Sequence, residues 1–166
     1  RAVIGLNLCP FAKAVHVKGQ VHYAVSLASD WDRLVDDLLH EAGELASLDA
    51  AQRDTTLLVA PRAPQDFMEF TALVAQAERR LFNEGHQGVL QLASFHPLFQ
   101  FAGTEAGDIT NYTNRAPWPT LHLLREASID RAVEAFPDAA DIYETNMETL
   151  RRLGQGGWDD LMGQPR

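Results

Sequence analysis

Between Val21 and Phe95 short uncharged segments alternate with long amphipathic ones, and this alternation predicts an α/β fold. Two observations carry it. Gln20–Leu27, Thr55–Ala60 and Gly88–Phe95 have the length and apolar character of strands, and two stretches with helical spacing separate them. Strand–helix–strand crossovers join parallel strands. The expectation is therefore a small central, mainly parallel sheet of three to four strands, helices packed on it, and a helical C-terminal part, all in one domain over residues 1–166.

Ala2–Leu8 reads as the end of a helix, because Pro10 disfavours helical geometry at Cys9. In Gln20–Leu27, Val21, Tyr23, Val25 and Leu27 lie on one side, as a strand requires. Trp31, Leu34, Val35, Leu38, Leu39, Ala42, Leu45 and Ala46 then form the apolar stripe of a helix. Ser29 or Asp30 can cap its start, and Asp32 suits the positive end of its dipole. Thr55–Ala60 is a buried strand stopped by Pro61. Phe67, Phe70, Val74, Ala77 and Leu81 mark a second helix, from Pro64 or Gln65 to Gly85. Gly88–Phe95 is a third, uncharged strand, and Leu98–Phe101 could add a short edge strand.

A long polar loop with prolines follows, and loops of this length tend to be functional or disordered. Phe99, Phe101, Tyr112 and Trp118 argue against disorder. Beyond it, Leu121, Leu124, Ser128, Ala132 and Phe136 fit a helix starting near Pro119, with no β-branched residue between Thr120 and Ile129. The alternative is a strand over Thr120–Leu124 and then a helix capped by Ser128. Pro137 ends this helix, and Asp138 starts another through Ile142, Tyr143, Leu150 and Leu153, closed by Gly154. Trp158, Leu161 and Met162 can dock a last turn.

The formal charge of −9, without a basic cluster longer than Arg79-Arg80 or Arg151-Arg152, argues against nucleic-acid binding. The longest charge-free stretch, Gln87–Thr104, is interrupted by His96 and Pro97, so no membrane span is expected. No signal peptide is visible, and the lone Cys9 suits a reducing compartment. No glycine-rich nucleotide loop or serine-hydrolase elbow occurs, and no cofactor is predicted.

Several residues could carry chemistry. His96 follows the third strand, where open α/β sheets bind ligands. Thr113, Asn114 and Arg115 precede the helix expected near Pro119 and could cradle a phosphate or carboxylate. Alternatively, Arg115 pairs with Asp108 and holds the loop shut. On that helix His122, Arg125 and Glu126 would share a face, offering an acid/base and an anion clamp. Cys9 would need His96 or His122 alongside to act as a nucleophile. Metal is weakly signalled: only His96, Asp108 and His122 offer a two-histidine, one-carboxylate set. Asn111-Tyr112-Thr113 is a formal glycosylation sequon.

Leu-Cys-Pro-Phe-Ala at 8–12, Ser-Phe-His-Pro at 94–97 and Thr-Asn-Arg-Ala-Pro-Trp-Pro-Thr-Leu-His-Leu-Leu-Arg-Glu at 113–126 carry a resemblance over nearly the whole chain. The sequence resembles a bacterial, mostly proteobacterial family catalogued only as a domain of unknown function. Asp54-Thr55-Thr56-Leu57 departs mildly from that family's usual spelling. The resemblance implies a cytoplasmic bacterial protein, brings no activity or cofactor, and singles out Cys9, His96, Asn114, Arg115, His122 and Arg125. The leading expectation is a pocket for a small anionic metabolite, bound by Thr113, Asn114, Arg115 and Arg125, with His96, His122 and Cys9 as catalytic candidates for a hydrolase or transferase. The alternatives are a non-catalytic interaction or structural module whose loop residues are structural, and a divalent-metal enzyme using His96, Asp108 and His122.

Overall fold

A computed structural model of the chain describes residues 1–135 and 141–163. Two short helices, α1 (Ala2–Gly5) and α2 (Ala12–Val17), lead into strand β1 (Val21–Val25). Helix α3 (Trp31–Ser47), strand β2 (Thr55–Val59), helix α4 (Phe67–Asn83) and strand β3 (Leu90–Phe95) follow. The long loop contains a 3-10 helix at Ile109–Asn114 and ends in strand β4 (Thr120–Arg125). Helices α5 (Glu126–Ala135) and α6 (Ile142–Gly163) complete the described chain. The expectations placed on Phe136, Pro137 and Asp138 lie outside the described residues.

The sheet order is β1-β2-β4-β3. β1 and β2 are parallel, while β4 is antiparallel to both β2 and β3. The mainly parallel sheet expected from the crossovers is thus corrected. β1, β2 and β3 do run the same way, but β4 enters between β2 and β3 in the opposite direction. The cause lies in the connection. The loop after β3 stays at one end of the sheet, with Phe95 paired to Thr120, so the returning strand must run back. No extra strand forms over Leu98–Phe101.

The helix expected from Pro119 is also corrected: Thr120–Arg125 is a strand, and a helix begins only at Glu126. Leucine favours helix in isolation, but burial in the middle of a sheet outweighs that preference. Leu121 and Leu123 are fully buried on the face that carries α3 and α4.

That face holds the core. Leu34, Val35, Leu38, Ala42 and Leu45 of α3 and Phe70, Leu73, Ala77 and Leu81 of α4 pack with Leu58, Leu90, Leu121 and Leu123. Helical periodicity on one side and strand alternation on the other meet in a single apolar layer. Both helices are capped by aspartate: Asp30 accepts from the Arg33 amide and Asp66 from the Glu69 amide, each at 2.9 Å. The opposite face carries Tyr23, Val25, Leu57, Val59, Phe95, His122 and Leu124, none of them buried. Gly154 (φ 66°) breaks α6 as the sequence predicts, and Trp158 beyond it is buried with its ring 4.9 Å from that of Tyr112.

Candidate functional site

The long loop is an arch tied to itself. The His96 amide donates to the Asn114 carbonyl at 3.2 Å, and Asn114 Nδ2 reaches the Ser94 carbonyl at 3.4 Å, so the two feet of the arch meet. Asn111, fully buried, is its hub. Its Oδ1 accepts from the Phe101 amide (3.0 Å) and the Thr104 hydroxyl (2.8 Å), and its Nδ2 donates to the Glu105 carbonyl (2.9 Å). The sequence marked this residue only as a sequon. In the fold it is inaccessible to glycosylation.

Arg115 spans the arch. Its Nε donates to the Phe99 carbonyl (3.1 Å) and its Nη2 to the Ala106 carbonyl (2.7 Å), with the guanidinium 4.5 Å over the Tyr112 ring. It holds the loop shut through main-chain carbonyls, not through Asp108. Asp108 instead caps the 3-10 helix, and the Thr110 amide and hydroxyl hold its carboxyl below the usual range. Thr113 donates to the Thr110 carbonyl at 2.9 Å. Since a strand and not a helix follows, no helix N-terminus stands behind Thr113, Asn114 and Arg115.

His96 sits at the carboxyl end of β3, as expected, and is fully buried. Its Nε2 is 3.1 Å from the Pro64 carbonyl and its Nδ1 accepts from the Leu98 amide at 3.1 Å, which fixes a neutral ring protonated on Nε2. The ring stacks on Phe70 at 4.8 Å and contacts Phe67 at 5.5 Å. Burial lowers its pKa against the opposing pull of the Pro64 carbonyl and Asp66.

β4 places His122 and Arg125 on opposite faces of the sheet, which corrects the shared helical face expected for them with Glu126. Arg125 points to the core face. Its Nη2 reaches the carbonyls of Leu45 (2.5 Å) and Leu48 (2.6 Å), and its Nε donates to the Arg53 carbonyl (3.1 Å). The last carbonyls of a helix lack partners and carry negative partial charge, so a distant cation closes α3. Arg53, itself buried, donates to Thr56 and pairs with Glu41.

His122 lies on the other face, 6.0 Å ring to ring from Phe95. The Thr55 hydroxyl donates to the Leu123 carbonyl at 2.6 Å, so its oxygen accepts from His122 Nε2–H at 2.7 Å. This chain fixes the tautomer and leaves Nδ1 as an acceptor without a hydrogen-bond partner among the described residues. Burial pushes the imidazole pKa down to about 4.

Cys9 is half-buried in the turn between α1 and α2. Asn146 of α6 anchors that turn by donating to the Leu8 carbonyl at 2.8 Å. Asn7, at φ 55°, lets the chain reverse there.

A family model described as a protein of unknown function (DUF1415) matches residues 1–160. The chain belongs to this family. No curated protein and no solved structure shows significant similarity to it.

In this DUF1415 chain the signature residues do not gather around one cavity. His96 lies at the end of the sheet where Phe95 pairs with Thr120, and Arg125 lies at the opposite end, paired with Leu90. Asn114 meets His96 at the foot of the arch that Arg115 spans, so these three are neighbours held by main-chain bonds, while His122 is on the second face. Among the described residues no group of three His, Cys, Asp or Glu stands where it could hold a metal ion, so His96, Asp108 and His122 form no ligand set. No described helix is long and apolar enough to cross a membrane. The sequence reading missed Thr55, Asn111, Arg53 and Asn146, all buried polar residues. Only Thr55 carried a signal, as one of two threonines that open an otherwise apolar strand.

Proposed function

We propose that this DUF1415 protein is a non-catalytic interaction module whose long loop is structural scaffolding. The observation that carries this reading is where the loop's polar groups go. Asn111, Arg115 and Asn114 are committed to main-chain groups of the same loop and its feet, and the His96 ring is held between the Leu98 amide of the loop and the Pro64 carbonyl just before α4. Two of the three guanidinium nitrogens of both Arg115 and Arg125 are engaged on carbonyls, which weakens the expected anion cradle. The surface offered to a partner is apolar: Tyr23, Val25 and Leu27 are exposed along one edge of the sheet. Replacing Arg115 by alanine is expected to cost roughly 1–2 kcal/mol by orphaning two carbonyls. Chemical denaturation measures this, and wild-type stability in the variant would oppose a structural role.

A second reading is supported by His122. Its free Nδ1 lone pair, held beside Phe95 and Leu57, suits a small uncharged ligand with a hydrogen-bond donor and an apolar body. Imidazole nitrogen shifts in NMR spectra recorded with a panel of uncharged heteroaromatic amides test it. Movement confined to His122 Nδ1 is the supporting result, and no movement at any concentration is the opposing one.

A further inference from the structure

We propose that strand β1 is the contact surface for a second copy of this chain, pairing antiparallel with itself about Tyr23. This names a partner for the interaction module proposed above.

β1 is an edge strand. Gln20 and Ser26 bond toward β2: the Asp54 amide donates to the Gln20 carbonyl and the Ser26 amide to the Val59 carbonyl, both at 2.9 Å. In a parallel ladder the alternate residues then turn their N–H and C=O groups outward. These are Val21, Tyr23 and Val25, and their outward groups have no main-chain partner among the described residues. Natural edges are usually blunted by lysine, proline, a bulge or a covering element. Gln20–Leu27 has no lysine and no proline. Its side chains are unusually bare, with Tyr23 60%, Val25 64% and Leu27 59% exposed, and Val17 just before it 76% exposed.

The spacing of the outward residues allows a two-fold pairing. With Tyr23 opposite Tyr23 of the second copy, Val21 faces Val25 and Val25 faces Val21. All three are hydrogen-bonded pairs of an antiparallel ladder, each exchanging two N–H···O bonds. Their side chains fall on the second face of both sheets, so the six side chains form one continuous apolar strip. Two four-stranded sheets become one, and each copy uses the same patch, as a closed dimer requires.

Charge sets the direction. Before Asp30 the chain contains no Asp or Glu, and Lys13, His16 and Lys18 are exposed on the leading flank of β1. After β1 the exposed charges begin with Asp30, Asp32 and Asp36, against the single Arg33. Antiparallel pairing brings the basic flank of one copy beside the acidic flank of the other. A parallel arrangement would place like flanks together. In a chain of net charge −9, this local complementarity offsets part of the general repulsion between copies.

The experiment is sedimentation velocity on the wild type and on Tyr23→Pro, Val25→Lys and Lys18→Glu, loaded from about 1 μM to about 1 mM to span weak homodimer affinities. Tyr23→Pro removes an outward N–H, and Val25→Lys puts a charge on a side chain that is exposed in the single copy. Neither touches the core, and thermal unfolding of each checks that the fold is kept. The wild type is expected to move from 18.4 kDa toward twice that mass with concentration. The first two variants should stay monomeric, and Lys18→Glu should weaken the dimer by about tenfold. A wild type that stays monomeric throughout overturns the proposal, and so does a dimer that both β1 variants leave intact. Neither outcome touches the structural role of the loop, which the Arg115 variant tests separately.

Discussion

Arg125→Ala is expected to destabilise the protein by about 3 kcal/mol and to lower its melting temperature by roughly 10 °C, the conversion that applies at this chain length. The size follows from what the side chain holds. Its charged donors reach the carbonyls of Leu45 and Leu48 at the end of α3 and of Arg53 before β2. Removing it orphans three main-chain acceptors in a half-buried setting, beyond the loss of a cation at a helix C-terminus. Arg125→Lys keeps the charge but replaces a forked donor by a single ammonium, so it should recover less than half of the loss. Guanidinium denaturation of the three proteins measures the series. If Arg125→Ala kept wild-type stability, the clamp on α3 would have no energetic role.

The second large effect concerns acid. His122 is held neutral with a pKa of about 4, whereas in the unfolded chain it titrates near the ordinary value of 6.5. Above the unfolded value neither state binds the proton, and the full stability is present. As pH falls from 6.5 towards 4, only the unfolded state takes up the proton, and stability is lost. Below about 4 both states are protonated and the loss levels off. Linkage puts the total from His122 at about 3 kcal/mol by pH 4. His96 adds a loss of the same sign, because burial lowers its pKa also. His122→Gln retains a donor for the Thr55 oxygen and cannot titrate. The variant should therefore be less stable at pH 7 but show a shallower decline between pH 6.5 and 4. Parallel slopes in variant and wild type would show that His122 titrates normally in the folded state.

The helical layer was open to sequence reading because its signals are local. Asp30 caps α3 as read and the stripes match the buried residues closely, although α4 starts at Phe67 behind an Asp66 cap and not at Pro64 or Gln65. The three crossover strands were equally plain. β4 was not, because Thr120–Arg125 offers leucines without β-branching, and its strand identity comes from β2 and β3 on either side. Missing that strand moved His122 and Arg125 onto one imagined face and supplied Arg115 with a helix start that does not exist. The alternation of Thr120, His122 and Leu124 against Leu121, Leu123 and Arg125 was the available signal, and it loses to helical spacing over so short a run.

The functional residues were readable as types but not as partners. A histidine beside a proline, or an arginine in a long loop, looks the same whether it meets a ligand or a carbonyl. Asn111 shows the limit most clearly, since its contacts run to Phe101, Thr104 and Glu105 through turns that no periodicity describes. Arg125 shows it over a longer range, because its partners at Leu45 and Leu48 are brought to it only by the packed fold.

The measurement closest to the central claim is thermal unfolding of the wild type and Arg115→Ala with phosphate, acetate, citrate and a nucleoside monophosphate, each against chloride at equal ionic strength. If the arch residues are bound to the main chain, every anion shifts the transition as chloride does, in both proteins. A saturable rise with one anion, absent from Arg115→Ala, would show that the arginine serves a ligand and would contradict the scaffolding role given to the loop.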